Sequence, residues 1–193
     1  MSALWRLRSV DALTIDPAGL RLAARIPQWL EPMPGSTTAR IAMAREGEAE
    51  RVETLALMES HDPAELRQLA AESLAGTHVY AYRLSTPDAA RLRLLQAEAR
   101  AGKASPAHRK GSVKITLDAR ACRLAEPPEG PVLIDLFLSL GDGTGYFKIL
   151  EDVDIREWQK PGEPFEAMAP VCGKSGARVV TGGGTDAARP GMR

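Results

Sequence analysis

Residues Val132 to Leu140 carry apolar side chains at Val132, Ile134, Leu136, Leu138 and Leu140, alternating with Leu133, Asp135, Phe137 and Ser139. A period of two places the first set on one face of a strand, whereas a helix would scatter it around the axis. Gly141-Asp142-Gly143-Thr144-Gly145 follows, and glycine supplies the positive φ angles that a hairpin turn requires. Tyr146-Phe147-Lys148-Ile149-Leu150-Glu151-Asp152-Val153 then returns antiparallel. Phe147, Ile149 and Val153 are expected to face inward, with a bulge over Leu150 to Asp152, where the alternation slips. A hairpin this apolar needs cover on its inner face, so the rest of the chain is read as the sheet and helices that surround it.

Leu20, Leu22, Ala24 and Ile26 alternate between the turn signal Asp16-Pro17-Ala18-Gly19 and Pro27, which argues a half-buried strand. Pro27, Pro32, Pro34 and Gly35 impose a loop, because proline offers no amide to a ladder. Segments 39–45 and 51–58 flank the polar connection Glu46 to Glu50 as a second hairpin. Asp62-Pro63-Ala64-Glu65 is a helix start: Asp62 caps, Pro63 suits the first turn, and Glu65 stands three residues after the cap. Leu66, Leu69, Ala70 and Leu74 follow at helical spacing and Gly76 ends the run.

Thr77 to Leu84 is rich in β-branched and aromatic residues and reads as a strand. Thr86-Pro87-Asp88 opens a second helix running to the neighbourhood of Ala101, with Leu92, Leu95 and Ala99 on one face and Gly102 as terminator. A linker spans 104–108, after which Val113, Ile115, Leu117 and Ala119 alternate with Lys114, Thr116 and Asp118 in an amphipathic strand. The sequence therefore predicts an α+β fold: a mainly antiparallel sheet or sandwich of about seven strands with two packed helices. The domain is expected over 20–158, behind a lead-in segment 1–19. An extended C-terminal segment 159–175 and a Gly-rich tail 176–193 without apolar periodicity, expected to be disordered, follow it.

The 25 basic and 25 acidic residues cancel, so no net field draws the chain to nucleic acid or anionic lipid. No apolar run approaches the roughly 18 residues of a membrane helix. Met1 to Val10 holds two arginines and lacks the apolar stretch of a secretory signal, so the chain as written reads as cytoplasmic. The opening Leu4-Trp5-Arg6-Leu7-Arg8 also has the look of a segment that follows a removed signal or anchor, which would place the protein in the periplasm or cell envelope.

Candidate chemistry is sparse. The glycine turn lacks the helix that a phosphate loop must precede. Asp142 lies at the opposite end of its hairpin from Asp152 and Asp154, too far for one shared cation site. Asp152 and Asp154 read instead as a solvated or salt-bridged strand end, with Arg156 as the partner in the second case. Arg109 and Lys110 beside His108 read as a solvated basic loop, and His61 stands just ahead of a helix cap. His78, Tyr80 and Tyr82 share one strand face and form the most interesting polar surface.

Cys122 and Cys172 have no companion in zinc-ligand spacing, so no metal site and no cofactor is expected. Cys122, between Arg120 and Arg123, could act as a nucleophile; paired with Cys172 it would tie the C-terminal segment to the sheet. The functional expectation is a non-catalytic binding or structural module, with a protein partner or a second copy able to join at a free sheet edge. Its alternatives are an exported or envelope-associated version of that module, and an enzyme of small molecules using the His78, Tyr80 and Tyr82 surface or Cys122.

Overall fold

The computed structural model describes residues 13–45, 47, 49–104, 111–159 and 161–173. The chain opens with β1 (Arg21–Pro27), β2 (Leu30–Pro32), β3 (Thr38–Arg45) and β4 (Arg51–Ser60). Helix α1 (Pro63–Leu69), a 3₁₀ turn (Ala70–Glu72), β5 (Thr77–Leu84) and the long helix α2 (Thr86–Ala104) follow. The second half holds β6 (Gly111–Asp118), β7 (Ala121–Arg123), β8 (Leu133–Ser139), β9 (Phe147–Asp154), a 3₁₀ turn (Ile155–Trp158) and α3 (Phe165–Met168). Seven strands form one curled antiparallel sheet in the order β6-β3-β4-β5-β1-β8-β9, and β2 pairs with β7 in a separate ribbon. The α+β reading holds, with one curled sheet in place of a sandwich. The seven sheet strands lie where alternation, a hairpin connection or β-branched and aromatic content placed them, whereas the three-residue strands β2 and β7 are too short for a period to show. Pro27 and Pro32 each end a strand and so cost no interior ladder bond.

The helices take opposite faces. Leu69 of α1 packs with Ala23, Ala81 and Phe137, while Ala89 and Leu92 of α2 pack with Leu22, Leu57, Tyr82 and Leu84. Strand β1, expected to be half-buried, is thus covered on both sides: Ala23 is fully buried and Arg25 nearly so. On the α1 face the Arg25 guanidinium pairs with Asp135, itself only 1% exposed, and donates to the Glu72 carbonyl at 3.0 Å. Asp135 also accepts from the Asp152 backbone amide at 2.7 Å. The β8–β9 register slips between Ile134 and Phe137, and Asp152 takes φ 49°, so the bulge lies where the alternation fails.

Several ends differ from expectation. Asp62 caps α1 through the Ala64 amide at 2.7 Å, but Glu65 pairs with Arg21 and does not return to the cap. α1 also stops at Leu69, because Leu66 and Leu74 meet solvent and nothing rewards further turns. α2 is capped by Ser85, one residue before Thr86, in a reciprocal box with Asp88, and it continues through Gly102 to Ala104. Asp154 accepts from the amides of Val132 and Arg156, while the Arg156 guanidinium donates to Pro128, so the expected Asp154–Arg156 tie runs through backbone. The predicted linker 104–108 beyond Ala104, the basic loop at His108 to Lys110, the opening segment before Leu13 and the tail 176–193 lie outside the described residues.

The glycine loop between β8 and β9 rests on the turn that precedes β1. Gly141 has φ 73°, and a Cβ there would stand 2.6 Å from the Gly19 Cα; at Gly143, φ 82°, a Cβ would meet nothing. Gly141→Ala should therefore lower unfolding free energy by about 2–4 kcal/mol, and Gly143→Ala by only about 1 kcal/mol. Urea denaturation of the two variants checks the contrast, and equal losses would remove the role assigned to the Gly19 contact.

Candidate functional site

α2 begins inside the core. Asp88 accepts from the Ala56 amide of β4 at 3.0 Å, and Ala89 is buried against the sheet. Further along, its two flanks are held separately. Arg91 pairs with Glu53 of β4, and Arg51, 2.9 Å from Glu53, reaches Glu98 at 2.9 Å. The Arg51 hydrogen bond, with both guanidinium charges, holds the Glu53 carboxyl below the usual carboxylate range. On the other flank Arg93 meets Asp16 at 2.8 Å, Gln96 donates to the Ile15 carbonyl at 2.9 Å, and Arg100 donates to the Leu13 carbonyl. The lead-in residues 13–17 thereby run beside α2 as a second wall.

Between these ties lies a cavity of about 530 Å³ under the middle and C-terminal half of α2. Its roof is Leu92, Leu95, Gln96 and Ala99, with Leu13 and Ile15 at the side. All seven strands of the curled sheet line its floor, through residues such as Ile115, Ile41, Leu55, Leu84, Leu22, Leu138 and Ile149. Gln96 is the polar side chain of this lining, and its amide is already engaged with Ile15. The volume falls in the range of small-molecule pockets, and a dry apolar wall selects hydrocarbon over water. Such a surface can bind and orient an apolar chain but offers no acid, base or nucleophile.

The aromatic row singled out in the sequence lies on the same sheet face but outside this cavity. Tyr82 sits in the core with Leu22, Leu57 and Leu84; burial pushes its phenol up to about 12, with the Thr37 hydrogen bond partly offsetting that. Tyr80 packs between two core clusters and is likewise raised, by burial and then by Glu31 and Glu59. His78 is exposed at the rim, edge-on to Tyr80 at 6.4 Å. His61 is exposed beside Glu59, 3.8 Å away. Cys122 and Cys172 are bonded to one another with Cα atoms 4.9 Å apart, so the Cys122 sulfur is not a thiolate in this structure. Glu31 lies opposite Cys122 in the β2–β7 ribbon and completes a triad of ligand-type groups, but cystine sulfurs do not supply the thiolates that a metal would take.

The cavity itself went unseen in the sequence, because Leu92, Leu95, Val113, Ile115 and Leu117 carry the same alternation whether they meet a neighbour or a void. The available signal was one of supply: seven apolar strand faces against a single long amphipathic helix. Compared with known proteins, the chain matches no family model, no curated protein and no solved structure.

The tyrosines give a pH signature. Tyr82 and Tyr146 are both pushed up to about 12 by burial, above the value of 10.0 for an exposed phenol. Between these values the unfolded chain holds fewer protons than the folded one, so stability is full below pH 10 and falls as pH rises toward 12. Each such tyrosine adds a slope of at most about 1.4 kcal/mol per pH unit. Urea titrations across the alkaline range should show the decline, and Tyr82→Phe should flatten it; an unchanged slope in that variant would place the titration elsewhere.

Proposed function

We propose that this protein is a non-catalytic binding module whose ligand is an elongated apolar chain, of the fatty-acyl or lipid-tail class, held between α2 and the concave sheet face. The observation that carries the reading is the composition of the cavity wall: hydrocarbon from seven strands and one helix, with its amide side chain already satisfied. Affinity would come from removing the ligand's apolar surface from water, at about 25 cal/mol per Å². The His78 and Tyr80 rim supplies no converging catalytic set, which favours binding over turnover.

Equilibrium titration with a fluorescent long-chain fatty acid tests this. Saturable one-to-one binding is expected, and Ala99→Phe, which fills the roof, should weaken it at least tenfold without loss of fold. Absence of saturable binding, or full affinity in the filled variant, would remove the reading.

A second reading concerns compartment, and the Cys122–Cys172 bond favours it: structural disulfides persist in oxidising surroundings. We assign the module to an exported or envelope-associated setting, in preference to the cytoplasm. Protein recovered from its native compartment and denatured without reductant should show no titratable thiol; two thiols would return it to the cytoplasm.

A further inference from the structure

The curled sheet ends in two different edges. β9 is blunted: its register against β8 slips between Ile134 and Phe137, and Asp152 takes φ 49°. A bulged, twisted edge is a poor template for another strand. β6 carries no such device. Its pairing with β3 runs without a shift from Thr38 opposite Asp118 to Arg45 opposite Gly111, and it holds no proline. Val113, Ile115 and Leu117, the side chains it turns to the cavity, are 62%, 61% and 38% exposed. A regular edge strand with a row of uncovered aliphatic side chains marks a surface that another strand completes.

The other face of β6 says which strand. Lys114 and Asp118 are exposed there, and neither has an ion-pair partner among the described residues. Two antiparallel copies related by a two-fold axis normal to the sheet keep their apolar side chains on one face, and the axis then passes between two copies of the same residue. With the axis at Thr116, Thr116 faces Thr116 of the partner subunit, Ile115 faces the partner's Leu117, and Lys114 faces the partner's Asp118. The last two pairings occur twice by symmetry. An axis at Lys114 or Asp118 sets like charges opposite one another, and one at Ile115 or Leu117 leaves both charges facing neutral or like side chains. Opposite charges and paired threonines across strands are favourable, whereas like charges are not.

We propose that β6 is the self-association surface of this protein: two copies join β6 to β6 in antiparallel, about a two-fold axis at Thr116, into one continuous sheet. The partner's Leu117 then stands beside Ile115 in the wall of the cavity, so the second copy completes the side that β6 leaves open. The pairing stands on the regular edge and the matched charges, and does not depend on what the cavity holds. β6 offers 8 residues from each copy, against the roughly 20–30 of a stable interface. The dimer therefore exchanges with monomer on dilution.

Sedimentation velocity of the full chain across a concentration series tests this, and the mass should rise from monomer to dimer. Lys114→Asp turns two attractive pairs into repulsive ones and should weaken the dimer about tenfold. Lys114→Asp/Asp118→Lys restores the complementarity and should return association to near the wild-type level, which separates the pairing from any effect on folding. Thr116→Cys should cross-link two copies on oxidation, because opposite residues have Cα atoms about 4.5–5.5 Å apart, within the span of a disulfide. Val113→Cys should not, since six residues, about 20 Å, separate the two copies of that position along the strands. A chain that stays monomeric at every concentration overturns the inference and leaves β6 to a partner of different sequence. Dimers unaffected by the charge reversal, or cross-linking at Val113 in place of Thr116, put the contact elsewhere and overturn it equally.

Discussion

The structure depends on a mismatch of widths. Seven strands at a spacing of about 4.8 Å make a sheet roughly 29 Å wide, and one helix of about 10 Å diameter covers only a third of it. Curling brings the strands toward the helix but cannot close the difference. α2 is accordingly rooted at its first turn, by the Ser85–Asp88 box, the Ala56 amide and buried Ala89. From Arg91 onward it is hung from the flanks, by Arg91–Glu53 and Arg51–Glu98 on one side and Arg93–Asp16 with Gln96–Ile15 on the other. Polar ties at the edges do what packing would do beneath a better-filled helix, and the space left under Leu95 and Ala99 is the cavity.

The opposite face solves its problem with charge. α1 is short and offers one buried side chain, Leu69, so much of the sheet behind it is filled by Phe137, Tyr146 and the Arg25–Asp135 pair. A buried pair gains little over well-packed hydrocarbon, but breaking it strands a charge and is costly. Here the pair also fixes register, because Asp135 collects Arg25 from β1, the Asp152 amide from β9 and Lys148 at 3.9 Å. The bulge in β9 serves that pair: within the slipped register the Asp152 amide turns toward the carboxylate.

Legibility in the sequence follows the same division. The sheet strands were readable because alternation, strand-forming composition and turn chemistry are local, and both helix starts because a cap, a proline and an acid sit within four residues. What depends on distant partners was not. Nothing near Glu53 announces that Arg91, 38 residues on, will neutralise it inside the concave face. The end of α1 was misplaced because Leu66 and Leu74 have helical spacing but no partner surface. The His78, Tyr80 and Tyr82 row was assigned correctly to one face, yet two of its members serve as core. A period tells which face is apolar and is silent on whether that face is covered: Val113, Ile115 and Leu117 are the apolar side of an amphipathic strand, and they line an open wall.

The disulfide sits at the end of the molecule where the strands are shortest. β2 and β7 are three residues each, too short to hold one another by ladder bonds alone, and it is there that Cys122 is tied to Cys172. The same end gathers Leu30, Ile26, Val132 and Phe165, with Trp29 edge-on to Phe165 at 6.1 Å and the Arg156 guanidinium 4.7 Å above its ring. Tyr80 bridges this cluster to the one beneath α2, and β1 runs through both, from Leu22 to Ile26. The end bounded by β6, the β3–β4 turn and the last turns of α2 has no covalent tie among the described residues, and salt bridges hold it at exposed flanks. The cavity and the cross-linked cluster thus lie toward opposite ends of β1, which passes from Leu22 in the cavity wall to Ile26 beside Leu30 and Phe165.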